Sequence, residues 1–79
     1  MSPRVFFEGP YWLYFYASDH KEPVHVHVSR DDKEVKIWLE TFEVAFNRKF
    51  SQKEIRDIIR IIERRRQEIE DKWNDFFIK

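Results

Sequence analysis

The chain has 79 residues, and its 15 Lys and Arg against 15 Asp and Glu give a formal net charge of zero with neutral histidines. That balance excludes a global cationic field for nucleic acid or anionic membrane, so RNA binding has no support from net charge and would need a local patch. No apolar run approaches a membrane span, Met1–Gly9 lacks the pattern of a cleaved leader, and the absence of cysteine removes disulfides and thiolate chemistry, which makes the cytoplasm the expected compartment.

In chain order, a short strand is expected at Val5–Phe7, ahead of a turn at Gly9-Pro10. Tyr11–Ser18, Val24–Arg30 and Lys33–Glu40 are alternating runs rich in aromatic and β-branched residues and read as strands. Asp19–Pro23 and the pair Asp31-Asp32 separate them, and Phe42–Phe46 is a further short strand. Ser51 with Glu54 three residues later is a capping box, in which hydroxyl and carboxylate satisfy backbone donors at a helix start. Ile55, Ile58, Ile59, Ile62, Ile69, Trp73 and Phe76 or Phe77 then recur at helical spacing as one apolar stripe. A continuous helix over Gln52–Phe77 would be about 39 Å long, against about 23 Å for a seven-residue strand. It therefore overhangs its sheet, docks its end elsewhere, or breaks near Arg64–Arg66, where the stripe is interrupted. The expected fold is an α+β single domain over 1–79, with a β-rich half at 1–50 and a helical half at 51–79. Its small antiparallel sheet of three to five strands packs on one long C-terminal helix, kinked if the break is used.

Strand pairing sorts the residues into two faces. With Asp31-Asp32 at a hairpin tip, Val28 opposes Val35, Val26 opposes Ile37 and Val24 opposes Leu39, and a one-residue slip would put valines opposite Lys36 and Trp38. Leu13, Phe15 and Ala17 join that face, and the isoleucine stripe is its natural cover. The other face carries His25 opposite Trp38 and His27 opposite Lys36, flanked by Trp12, Tyr14 and Tyr16. A face meant only for water reads Lys, Glu, Thr and Ser. Trp12, Tyr14, Tyr16, His25, His27 and Trp38, with Trp73 and Phe77 from the helix end, are therefore expected to form an interaction face for a cognate small protein or a second copy in a homodimer.

Two kinds of chemistry are alternatives on the same residues. His25 and His27 lie on one side of a strand, about 6.6 Å apart along it, and two imidazoles can converge on a transition metal. His20, the third histidine of the chain, is the candidate third ligand, with Asp19, Glu22 and Glu34 as other donors, while Lys36 opposite His27 opposes a cation. Without metal, His25, His27, Lys36 and Tyr14 are the groups for acid–base attack by a ribose hydroxyl, with the Trp/Tyr row stacking a base, as in a ribonuclease-like toxin. The sequence calls for no other cofactor.

Several runs carry a family pattern: Glu22-Pro23-x-His25-Val26-His27-Val28, Glu34-Val35-Lys36-Ile37-Trp38-Leu39, Val44-Ala45-Phe46-Asn47, Phe50-Ser51-x-Lys53-Glu54-Ile55 and Lys72-Trp73-Asn74-x-Phe76. From Phe7 to Phe77 the chain resembles the bacterial domain of unknown function 4160 family. The resemblance maps His25 and His27 onto the family's His-x-His pair and Trp38 and Trp73 onto its two tryptophans. One common version of the pattern has a histidine four residues before the pair, whereas His20 lies five before His25. Members are small prokaryotic proteins that often sit beside another small gene, which implies a partner in a toxin–antitoxin-like pair.

Overall fold

A computed structural model describes residues 4–78, so Met1–Pro3 of the leader-free start expected above, and Lys79, lie outside it. The chain runs β1 (Arg4–Glu8), β2 (Tyr11–Tyr14), a 3-10 turn (Ala17–Lys21), β3 (His25–Arg30), β4 (Lys33–Trp38), β5 (Val44–Arg48), α1 (Gln52–Arg64) and α2 (Arg66–Phe77). The five strands form one antiparallel meander in the order of the chain. Among the described residues no helix is long and apolar enough to cross a membrane.

The register around Asp31-Asp32 is the one burial requires: Val28 pairs with Val35, Val26 with Ile37, His25 with Trp38 and His27 with Lys36. Asp31 takes a positive φ of 55° at the tip, a conformation that Asp tolerates better than most residues. Leu13, Phe15, Val26, Val28, Val35, Ile37 and Leu39 are buried, and Ile55, Ile58 and Ile62 of α1 with Ile69 and Trp73 of α2 complete the core.

Two expectations need correction. The strand read over Tyr11–Ser18 stops at Tyr14, and Ala17 is exposed in the 3-10 turn instead of facing the core. The backbone N–H of Tyr16 donates to Asp19 Oδ2 at 2.7 Å, and this local bond diverts the chain from the ladder. The helical half is two helices, not one long helix. They meet at Arg65, which has φ −110° and ψ 23°. A straight helix over the same residues, at about 39 Å, would exceed the longest extent of the molecule, 36 Å. Arg65 is held at the break by Glu68 (2.8 Å) and by Glu8 of β1 (2.7 Å), with its guanidinium 3.4 Å from the centre of the Phe6 ring.

The capping box forms at the start of α1: Glu54 N–H donates to Ser51 Oγ at 3.2 Å, and Ser51 N–H donates to Glu54 Oε1 at 3.0 Å. The Ser51 backbone donor, followed by the Lys33 ammonium, lowers the Glu54 carboxyl to about 2 from an ordinary 4.5. A group whose folded value is depressed contributes stability that is present above the unfolded value and lost as pH falls through the folded one. Urea titrations from pH 5 to 2 should therefore show a shallower acid loss for Glu54→Gln than for the wild type; identical acid limbs would refute the linkage.

Candidate functional site: a buried Asp–His–His cluster under an aromatic sheet face

On the sheet face opposite the valine and isoleucine residues, strand pairing aligns Phe7, Trp12, Ser29, Glu34 and Arg48 in one row across all five strands. The next row is Tyr14, His27, Lys36 and Phe46. The 3-10 turn folds over the centre of this face. It places the Tyr16 ring 4.4 Å from the His27 ring, while Tyr14 stacks on His27 at 5.6 Å.

Beneath the turn, Asp19 is buried against both histidines. Its Oδ1 lies 3.1 Å from His25 Nε2, and its Oδ2 accepts from His27 Nε2 at 3.0 Å and from the Tyr16 backbone N–H. His25 is wholly buried, with its Nδ1 2.8 Å from the Pro23 carbonyl and its ring between Trp38 (5.4 Å) and Trp73 (5.3 Å). A carbonyl only accepts, so Nδ1 is the donor of this bond. His25 Nε2 makes no aligned hydrogen bond despite its closeness to Asp19, and His27 Nδ1, 3.5 Å from Glu34 Oε2, makes none either. Burial holds the His27 imidazole below its usual range, outweighing the opposing pull of Asp19 and Glu34.

The structure brings the expected residues together unevenly. Trp12 and Tyr16 are exposed; Tyr14, Trp38 and Phe77 are half-buried; and His25, His27 and Trp73 are buried, so these three offer little or no surface. Trp73 packs against Phe15 (5.1 Å) and His25 instead of standing at an open helix end. His20 is remote from the pair: it is exposed, with Nδ1 3.1 Å from the Ala17 carbonyl and its ring near Phe77, and Asp19 holds the position a third ligand would take. Asp19, His25 and His27 each offer a donor atom within 4.8 Å of the others.

For acid–base chemistry the same geometry is unfavourable. His25 has no exposed atom to touch a substrate. Lys36 Nζ is bound to Glu22 at 2.5 Å and lies 4.6 Å from the Trp38 ring. Burial, reinforced by Tyr16, raises the Tyr14 hydroxyl further above the ordinary phenol range, away from service as a base. The groove between the strand ends and α2, about 420 Å³, is lined by Pro23, Trp38, Glu43, Arg66 and Glu70 among others, but by none of Asp19, His25 or His27.

Phe7 and Phe46 belong to the aromatic face but escaped the sequence reading, because β1 and β5 had no register. The turn at Gly9-Pro10 supplies one for β1, since residues whose numbers sum to 19 then pair and Phe7 falls opposite Trp12. Their rings are 4.2 Å apart.

The family model described as a domain of unknown function (DUF4160) matches residues 11–74. The chain belongs to this family. The match spans β2 through most of α2 and so includes Asp19, His25, His27, Trp38 and Trp73. No curated protein and no solved structure matches.

Proposed function

We propose that this DUF4160 protein is the interaction component of a toxin–antitoxin-like pair and docks a cognate small protein on the aromatic face of its sheet. One observation carries this reading. Phe7 is 48% exposed, Trp12 39%, Tyr16 37% and Phe46 49%, on the side of the sheet opposite its valine and isoleucine face. Aromatics supply much of the contact energy at protein interfaces. A small domain needs them in its core, and leaving four on one outer face is a cost in solubility unless something covers them. Glu34, Lys36 and Arg48 lie among them and provide the polar contacts that fix orientation.

The test is co-expression with the tagged product of the neighbouring small gene. Wild-type protein should co-elute as a stoichiometric complex, and Trp12→Ser combined with Phe46→Ser should weaken it by roughly thirtyfold or more, the loss expected of two interface anchors. Both side chains are substantially exposed, so the melting temperature should move little. A wild-type chain that elutes alone as a monomer, or a complex indifferent to the double substitution, would overturn the proposal.

A further inference from the structure

We infer that Asp19, His25 and His27 form a binding site for one divalent first-row transition-metal ion, which clips the 3-10 turn to β3. Two ring nitrogens at this site lack a hydrogen-bond partner. His25 Nε2 and His27 Nδ1 are both buried without a hydrogen bond, and each faces a carboxylate oxygen, that of Asp19 at 3.1 Å and that of Glu34 at 3.5 Å. Orphaned buried polar atoms are rare in folded proteins and call for an explanation.

A second proton on His25 addresses only one of these atoms and leaves His27 Nδ1 without a partner. A metal ion between Asp19 Oδ1 and the two Nε2 atoms gives His25 Nε2 a partner and moves the His27 proton to the Glu34 side. The His25 lone pair becomes a ligand, with Nδ1–H already on the Pro23 carbonyl. His27 gives up its Nε2 proton to bind the ion and carries its proton on Nδ1, where Glu34 Oε2 faces it. Carboxylate or carbonyl on the outer nitrogen is the usual support for a metal-bound histidine. Asp19 Oδ2 keeps the Tyr16 backbone donor throughout.

The His25–Asp19 donor separation fits such an ion, and all three donors lie within 4.8 Å of one another. Metal–ligand bonds of about 2.0–2.1 Å in tetrahedral geometry put ligand atoms about 3.3 Å apart, close to the 3.1 Å between His25 Nε2 and Asp19 Oδ1. Two imidazoles and a carboxylate favour zinc, iron, nickel or copper over magnesium or calcium. The expected objection, the Lys36 charge opposite His27, is answered by its ion pair with Glu22.

Untagged protein, stripped with chelator and titrated with zinc, should take up one ion per chain and melt at a higher temperature when loaded. Nitrogen-15 spectra should show the His27 proton moving from Nε2 to Nδ1. Asp19→Asn keeps an acceptor for the Tyr16 N–H but loses the charged ligand; since outer partners alone are worth about 10–100-fold, it should weaken zinc binding by at least about 100-fold. His27→Gln should do the same, and cobalt loading gives an independent optical signal for the wild type. No saturable uptake of zinc, cobalt or nickel, or zinc binding that survives Asp19→Asn undiminished, would overturn the assignment, as would a doubly protonated His25 in zinc-treated protein.

Discussion

Phe15→Ala should remove about 3–5 kcal/mol of stability, a large share of what a chain of this length has. Phe15 is among the largest wholly buried side chains, and its ring meets Trp73 at 5.1 Å and Phe77 at 5.9 Å, so it joins the β2 end of the sheet to α2. Truncating a buried phenylalanine costs about 3–5 kcal/mol, through lost transfer energy and the cavity left behind. Stabilities of about 0.05–0.15 kcal/mol per residue imply a total of only about 4–12 kcal/mol for a chain of this length. Far-ultraviolet circular dichroism through a urea series reads the loss directly. A midpoint shift worth less than about 1 kcal/mol would mean that Phe15 does not bridge sheet and helix. Phe15→Leu, which retains most of the volume, should recover much of the deficit.

The second large effect is expected at a polar residue. Asp19→Ala removes the partner of the Tyr16 backbone N–H and of His27 Nε2 and leaves His25 Nε2 facing a void. Breaking a buried network from one side costs about 3–5 kcal/mol, because the groups left behind stay dehydrated and unpaired. In chelator-treated protein the urea midpoint should fall accordingly, and Asp19→Asn should fall less, because the amide oxygen still accepts from Tyr16. If Asp19→Ala unfolds at the wild-type midpoint, the 3-10 turn is not fastened to the sheet in the way described here.

The central part of the fold is legible in the sequence because burial and chemistry agree there. A slip of the β3–β4 hairpin would expose every valine, so Val26, Val28, Val35 and Ile37 leave one register, and that register places His25 and His27 on the opposite face. The helix start at Ser51 is equally readable, since a capping box is a local device needing nothing from the rest of the chain.

What the sequence hides depends on contacts between distant residues. The stripe interruption at Arg64–Arg66 marks a weak point, but the break at Arg65 is held by Glu8 and Phe6, more than fifty residues away. With the chain re-aimed there, Trp73 is buried against Phe15 and His25. The segment after Tyr14 has strand-like composition, and the Asp19 bond to the Tyr16 backbone overrides it. The same carboxylate, one of several donors near the histidine pair in sequence, is the one that the turn delivers to both rings.

The sheet has two faces with different surroundings: the valine and isoleucine face holds the helices, and the aromatic face, with its turn pinned by Asp19, is the docking surface proposed for a partner. Hydroxyl-radical footprinting of the protein alone and in complex with the neighbouring gene product tests this most directly, because aromatic side chains report their own exposure. Phe7, Trp12, Tyr16 and Phe46 should lose reactivity in the complex, while Phe76, 47% exposed on α2, should keep it. Protection of Phe76 with Phe7, Trp12, Tyr16 and Phe46 left unchanged would contradict the account.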